Sequence, residues 1–178
     1  MAIVIDRLAT DSIRTANPKN LGCRGSDSPD AAFTVDPTQQ ALRIDEMATI
    51  PDSYLDLLQQ KKAFADLATV RADGSPQVTP VWFDFAEGVI RVNTAKGRVK
   101  SRTLKPGAPV ALAIMDPDNP YRYLQIRGQV RRAVEQGADA HIDALAKKYL
   151  GKDTYPFRQP GEVRVMYEIE PSSVSGMS

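Results

Sequence analysis

Short runs of β-favouring residues separated by turn signals dominate the chain from residue 64 onward. Such runs occur at residues 64–71, 77–85, 89–94, 109–116, 121–134 and 162–170. The first three are separated by Asp73-Gly74 and Glu87-Gly88, and pairs of this kind supply the positive φ values that tight hairpin turns require. The pattern therefore predicts six strands, beginning with an antiparallel meander.

Three short helices are also predicted. The first covers about residues 52–62, and the second runs roughly from Arg98 to Lys105. The third has an apolar stripe at steps of four, three and four, formed by Ala138, Ile142, Leu145 and Tyr149. Because helices and strands do not alternate as βαβ units, we expect a mainly β fold (β+α), a closed or nearly closed antiparallel barrel with the helices packed outside.

Composition separates the chain into two parts. Residues 1–46 mix Pro, Gly, Ser, Asn and Asp without a sustained period, and we expect a mobile or poorly ordered N-terminal extension. Residues 47–178 form the predicted compact domain. The net charge is +1, so any recognition of anions depends on local clusters.

Other function classes lose support from the same composition. One cysteine, Cys23, and one histidine, His141, are too few for a zinc site, and no apolar run approaches the length of a membrane span. A cytoplasmic location is expected. The chain has no GxGxxG, GxxxxGK[ST], GxSxG or HExxH motif.

The stretch "NTAKGRVKSR" is a candidate site for an anion. It leads from a predicted strand through Gly97 into the second helix, and its cations are Lys96, Arg98, Lys100 and Arg102, followed by Lys105. Backbone N–H groups at a helix start, together with cations, are suited to phosphate. The alternative is a solvated basic surface whose buried face is formed by Val99 and Leu104.

Two further stretches have open interpretations. In "SPQVTPVWFDF" two prolines remove backbone donors, so a flat ring could lie on this strand with Trp82 as an apolar wall. Alternatively, Trp82 and Phe85 are core or dimer-interface residues. In "NPYRYLQIRGQVRR" the tyrosines and arginines could stack and pair with single-stranded nucleic acid, but their alternation is explained by a strand, and the neutral total charge disfavours nucleic acid.

No side chain in the sequence has an evident catalytic partner. His141 lies beside the apolar stripe of the third helix, where a packing role is favoured over general-base work. An enzyme with so few reactive groups is one in which a cofactor carries the chemistry. We therefore assign no catalytic residue.

Four stretches together resemble the pyridoxamine 5′-phosphate oxidase-like split-barrel superfamily, and within it the branch of F420-dependent oxidoreductases. They are "FADLATVRADGSPQVTPVWFDF", "IRVNTAKGRVKSRTL", "DPDNPYRYLQIRGQV" and "GADAHIDALAKKYLGKDTYPFRQPGEVRVMYEIEP", which span roughly residues 50–172. The resemblance implies a homodimer of six-stranded split barrels of the FMN-binding type. It also implies a cofactor cleft along the subunit interface and a small-molecule substrate.

The resemblance also implies a set of cofactor-binding residues. The ring is expected on the strand before Trp82, the phosphate at Arg98 and Lys100, and a strand glutamine facing the cofactor at Gln125. The full set is Gln77, Val78, Thr79, Pro80, Val81, Trp82, Asn93, Thr94, Arg98, Lys100, Thr103 and Gln125. The family pattern Lys-x-Arg-Asn is altered here, because Thr103 follows Arg102, and a hydroxyl can still donate to phosphate.

The implied function is hydride transfer between the deazaflavin coenzyme F420 and a small organic substrate. An FMN-dependent oxidoreductase of the same fold, or a non-catalytic flavin, F420 or haem binder, is the alternative. The acidic tail of F420 would meet further cations, for which the candidates are Lys96, Arg102, Arg127 and Arg158.

Overall fold

The computed structural model describes residues 48–177. Its helices are a 3-10 turn at Asp52–Tyr54, α1 at Leu55–Gln59, α2 at Val99–Thr103 and α3 at Ala138–Leu150. Its strands are β1 (Ala65–Val70), β2 (Pro76–Val81), β3 (Phe83–Ala86), β4 (Val89–Ala95), β5 (Pro109–Met115), β6 (Tyr123–Val134) and β7 (Arg164–Met177). The predicted N-terminal extension and Cys23 lie outside the described residues.

All three predicted helices are present, each close to its expected position. Between residues 48 and 177, none of the helices combines the length and apolar character needed to cross a bilayer. The turn at Glu87 and Gly88 also has the predicted backbone, with φ of 54° and 79°. Positive φ values at both central residues are typical of a type I′ turn. The backbone twist of this turn matches the twist of the flanking strands, so β3 and β4 form a tight hairpin.

The strands form one antiparallel sheet in the order β2-β1-β5-β6-β7-β4-β3. Strands β2 and β3 follow each other in the chain but lie at opposite ends of this order. Val81 pairs with Ala65 of β1, and Phe83 pairs with Val92 of β4, so the chain changes partner at Trp82. The sheet must curl for one residue to join its two ends, which confirms the split-barrel prediction.

The predicted number of strands was six, and the described residues contain seven. The difference arises because the expected strand at 77–85 is divided at Trp82. Apolar residues continue through the break on both sides, so the hydrophobic pattern carries no signal of the change in partner. Only the pairing of β2 with β1 and of β3 with β4 reveals it.

Alternate residues of the strands fill the barrel. Along β6, Leu124, Ile126 and Val130 are buried while Gln125, Arg127 and Gln129 are exposed, as the alternation predicts. The largest fully buried side chains of the barrel interior and its immediate surroundings are Phe83, Leu57, Leu58, Leu67, Ile90, Leu104, Leu112, Ile114, Leu124, Ile126 and Ile169. Burial of these apolar groups is the main stabilising contribution to the fold.

Helix α3 closes the seam beside Trp82. The Tyr149 hydroxyl donates to the carbonyl oxygen of Ala63 at 2.8 Å and accepts the Phe83 N–H at 3.3 Å. Burial raises the pKa of Tyr149 to about 12, so the hydroxyl keeps its proton at neutral pH. Lys148 Nζ donates to the carbonyl oxygen of Leu58 at 2.9 Å. Side chains of α3 thus provide hydrogen-bond partners for backbone groups near the break between β2 and β3.

The last strand is longer than predicted, because it continues from the expected end at residue 170 to Met177. Pro171 and the small polar residues after it are typical of a loop, yet β6 pairs with this segment throughout. The register shifts between Arg127 and Gly128, and Ser172 Oγ donates to the Arg127 carbonyl oxygen at 3.1 Å. A bulge is where a strand tolerates proline, so pairing with β6 overrides the local preference.

Arg122 and Arg132 of "NPYRYLQIRGQVRR" have separate partners. Arg122 donates to Asp116 at 2.7 Å and to Asp56 at 2.6 Å, which joins α1 to the β5–β6 connection. Arg132 makes a bidentate pair with Glu168. These residues therefore act as links within the barrel.

We predict that Gly128→Ala destabilises the protein by about 2 kcal/mol or more, because an added Cβ overpacks the bulge. The Cβ would lie 2.2 Å from the Glu170 carbonyl oxygen, which is backbone and cannot rotate away. Urea unfolding followed by the fluorescence of Trp82, the only tryptophan, measures the loss. The exposed neighbour Gln129→Ala serves as control, and equal stability of the two variants would contradict the prediction.

Candidate functional site

Strand β2 is an edge of the sheet and presents two kinds of side chain. Gln77, Thr79 and Val81 lie on the less exposed side, whereas Val78 and Pro80 are exposed. Prolines fit an edge strand where their nitrogens face away from the paired strand. With a period of two, the Val78 N–H then also faces the outer edge. The strand thus has exposed apolar side chains and, at its outer edge, a backbone donor. That a ring lies on it stays a prediction.

Gln77 carries an unpartnered polar atom. Its Oε1 is buried, and within residues 48–177 no hydrogen-bond donor reaches it. A buried acceptor without a partner is costly, and such groups often mark a binding site. A ligand N–H or O–H group would satisfy this oxygen.

The predicted strand and the predicted basic segment meet at Lys100. Lys100 Nζ donates to Thr79 Oγ1 at 2.8 Å, so a side chain of α2 reaches β2. Helix α2 has only five residues, so its dipole contributes little and anion binding here depends on side chains. Thr103 Oγ1 donates to the Lys100 carbonyl oxygen at 3.2 Å, which turns the hydroxyl toward its own helix.

Arg98 has a different partner from Lys100. Its guanidinium pairs with Glu162 at 3.0 Å, and Arg164 pairs with the same carboxylate oxygen at 3.0 Å. Leu104 is buried as the alternative interpretation expected, but Val99 is 42% exposed, so that part of the prediction was wrong. The reason is that α2 begins at Val99, where the chain is still leaving the surface turn at Gly97.

The side chain of Asn93 makes hydrogen bonds to three residues of other elements. Its Nδ2 donates to the Ala138 carbonyl oxygen at 2.8 Å and to His141 Nδ1 at 3.1 Å, and its Oδ1 accepts from Arg164 Nε at 2.8 Å. Because the Asn93 amide donates to Nδ1, the His141 proton lies on Nε2, which donates to Asp84 at 3.3 Å. Thr94, next in β4, is buried.

Asp84 ends this polar chain. It accepts from Arg91 Nε at 2.8 Å and from His141. Burial would raise the pKa of Asp84, but hydrogen bonds from His141 and Arg91 outweigh it and lower the pKa to about 2. Sequence reasoning missed Asp84, Glu162 and Arg164, since nothing local distinguishes them from ordinary surface charges.

Trp82 belongs to an aromatic cluster. Its ring stacks on Tyr149 with centroids 5.2 Å apart, and Tyr155 meets it edge-on at 6.1 Å. The rings of Tyr155 and Phe157 meet edge-on, with centroids 5.6 Å apart, and Phe157 is 39% exposed. One face of Trp82 is therefore occupied by the protein itself. Phe85 packs against the barrel core, as the alternative interpretation expected.

Gln125 lies apart from the buried side of β2. It is exposed on the outer face of the sheet, paired with Ala113 of β5 and Ser175 of β7. The four cations proposed for an acidic tail also have separate partners. Lys96 pairs with Glu135, Arg158 with Asp139 and Asp143, Arg102 with the Gly97 carbonyl oxygen and Arg127 with Ser173.

A cavity of about 200 Å³ lies elsewhere, lined by Ala48, Thr49, Ile50, Leu55, Phe85 and Gly88. None of the predicted cofactor residues lines it. Among the candidate residues of β2, β4 and α2, Val78, Pro80 and Arg98 are exposed, whereas Val81 and Thr94 are buried.

Comparison with known proteins identifies the family. A family model described as pyridoxamine 5′-phosphate oxidase matches residues 50–178, which is most of the chain. The chain belongs to this family. This membership agrees with the closed sheet and confirms the resemblance found in the sequence. A search of curated proteins found no match.

Solved structures include similar members of the pyridoxamine 5′-phosphate oxidase fold. An F420 reductase is 35% identical, with a TM-score of 0.61, and the match covers 71% of this chain and 98% of the other. An FAD and haem binding protein from Mycobacterium smegmatis is 18% identical, with a TM-score of 0.52 over 75% and 74% of the chains. A haem storage protein from Vibrio cholerae is 15% identical, with a TM-score of 0.51 over 71% and 94%. The last two similarities concern the fold alone.

We predict that Asp84→Asn lowers the free energy of unfolding by about 1 to 2 kcal/mol at pH 7, since a shift of one pKa unit corresponds to about 1.4 kcal/mol and Asp84 is partly exposed. The folded pKa is below the unfolded value of 3.8. The stabilisation is therefore complete only above about pH 5, well above the unfolded pKa, and decreases as the pH falls through 3.8 toward 2.

Urea unfolding of wild type and variant between pH 7 and pH 2.5 measures this difference. Asp153→Asn, which removes an exposed pair with Lys147, is the control and should change stability little at any pH. A difference between wild type and Asp84→Asn that stays constant over the whole range would contradict the assignment.

Proposed function

We propose that this protein is an oxidoreductase that binds the deazaflavin coenzyme F420 and transfers hydride to or from a small organic substrate. The observation that carries the proposal is the meeting of β2 and α2 at Lys100 and Thr79, 2.8 Å apart, beside the unpartnered Gln77 oxygen. The 35% identity to an F420 reductase supports F420 as the cofactor.

The donors and acceptors present suit a phosphate-bearing ring cofactor. A phosphate accepts hydrogen bonds from an ammonium and a hydroxyl, which Lys100 and Thr79 supply. A flavin-type ring and its side chain carry N–H and O–H donors, and Gln77 Oε1 is an acceptor that needs one. The outer edge of β2, toward which the Val78 N–H is directed, would donate to a ring heteroatom.

Bound F420 would supply the hydride, and the chain's own residues would fix its position. Lys100 and Arg98 would hold the phosphate, and Thr103 would add a hydroxyl if its rotamer changes. Trp82 is fixed by stacking on Tyr149, so it would form a rigid wall at one end of the strand. Asn93 would act indirectly, because its amide already binds Ala138, His141 and Arg164.

FMN is the alternative cofactor within the same class, since it shares the phosphate and the ring. A haem binder is less well supported. His141 is the chain's single histidine, and both its nitrogens are engaged, Nδ1 by Asn93 and Nε2 by Asp84. A haem held by histidine would require one of these nitrogens to lose its present contact.

We also propose a homodimer. The outer face of the sheet exposes apolar residues on neighbouring strands, including Val70, Val78 and Met115 at 50%, 60% and 49% exposure. Ala68 and Ala111 lie between them in register, and Asp66 is a charged residue on the same side of β1. A second copy would cover this face and lie along the outer edge of β2.

We predict that Arg98→Ala/Lys100→Ala weakens binding of F420, and of FMN if FMN binds, by several kcal/mol, since charge-assisted hydrogen bonds are each worth about 1.5 to 3 kcal/mol. Titration of F420 fluorescence measures the dissociation constant. Lys62→Ala/Lys105→Ala removes the same net charge from exposed positions outside the site and is the matched control. Unchanged affinity in the first variant would defeat the assignment.

The proposed dimer leads to a separate prediction. Val70→Glu/Met115→Glu should convert the dimer to a monomer, because two carboxylates per subunit would have to be buried on the apolar face. Light scattering after size-exclusion chromatography measures the mass. Phe157→Glu, at an exposed apolar residue on the loop before β7, should leave the dimer intact. A wild-type monomer at micromolar concentration would refute the proposed assembly.

A further inference from the structure

One carboxylate oxygen of Glu162 accepts hydrogen bonds from two arginines. Its Oε1 accepts from Arg98 Nη2 at 3.0 Å and from Arg164 Nη1 at 3.0 Å. The carboxylate side chain is only 7% exposed, so it depends on these donors to compensate for the loss of water.

The two arginines are not equivalent. Arg164 is 3% exposed, its Nε donates to Asn93 Oδ1 at 2.8 Å, and its guanidinium lies 5.0 Å from the centre of the Tyr155 ring. Arg98 is 49% exposed, and among residues 48–177 its guanidinium pairs with Glu162 alone. Arg164 is therefore a fixed partner of Glu162, and Arg98 is an exchangeable one.

We infer that Glu162 is a positioning residue that holds Arg98 away from the phosphate site until an anionic cofactor competes for it. The inference rests on the proposed function, because it concerns the arginine assigned there to the phosphate. When Arg98 turns to the phosphate, Glu162 keeps its pair with Arg164. The exchange therefore leaves no buried carboxylate without a cation.

This arrangement sets the strength of binding and its selectivity. Each anion must compete with Glu162 for Arg98, so weak or singly charged anions gain less from the site than a cofactor that Lys100 and β2 also hold. Unliganded protein likewise keeps Arg98 paired, which limits adventitious anion binding. Removing the negative charge of Glu162 should increase affinity for the cofactor.

The test compares Glu162→Gln with Glu135→Gln in titrations of F420 and FMN. The amide oxygen that Glu162→Gln introduces would still accept from Arg164, so the fold is expected to persist. Glu135 pairs with Lys96 in the same basic segment at 2.6 Å, so its variant makes the same charge change without releasing Arg98. We expect Glu162→Gln to lower the dissociation constant about three- to tenfold and Glu135→Gln less than about twofold.

A double-mutant cycle isolates the competition. In an Arg98→Gln background, Glu162→Gln should no longer change the dissociation constant, since the arginine it releases is absent. A second measurement uses the wild-type chain. The side-chain Nε resonance of Arg98, assigned by its loss in Arg98→Gln, should shift on adding F420, whereas that of Arg91, paired with Asp84, should not.

The outcomes separate this inference from the proposed function. Wild-type binding with equal affinities for Glu162→Gln and Glu135→Gln, or an unshifted Arg98 resonance, overturns the competition while the proposed function stands. If wild type binds neither F420 nor FMN, both are overturned. Tighter binding by Glu162→Gln that persists in the Arg98→Gln background also overturns the competition, because the effect then does not act through Arg98.

Discussion

The change of strand partner at Trp82 is the constraint on which the rest of the structure depends. One residue separates Val81, paired with β1, from Phe83, paired with β4, although β1 and β4 lie far apart in the sheet order. A flat sheet of these strands cannot satisfy both pairings. Closure follows, and backbone groups beside the break need other partners, which the Tyr149 hydroxyl supplies.

Closure of the sheet also creates the candidate site. The basic segment follows β4, near one end of the strand order, whereas Thr79 lies on β2 at the other end. Lys100 reaches Thr79 only because the two ends meet. The candidate site therefore depends on the curl of the sheet, although each of its two segments is continuous in sequence. Substitutions that weaken the seam should disturb the site without touching its residues.

A run of basic residues in the sequence is a weaker positive surface in the folded chain. Lys96 faces Glu135, Arg158 faces Asp139, and Arg98 faces Glu162. These carboxylates offset much of the charge that the sequence predicted for a phosphate, at Arg98, and for an acidic tail, at Lys96 and Arg158. Arg98 is 49% exposed and Arg164 is 3% exposed, and this difference in burial is the basis for the proposed exchange at Glu162.

The sequence by itself determined the local structure and the family. Alternation located the strands, the Glu87-Gly88 pair located a hairpin, and the spacing of Ile142, Leu145 and Tyr149 located α3, because period and turn chemistry are short-range properties. Four stretches in order were enough to identify the superfamily.

Only the tertiary structure decided the break at Trp82, the extension of β7 to Met177 and the partners of the charged residues. Asn93 and His141 are 48 positions apart, Arg98 and Glu162 are 64, and Asn93 and Arg164 are 71. Such contacts depend on how the sheet closes, and no pattern within a short window carries that information.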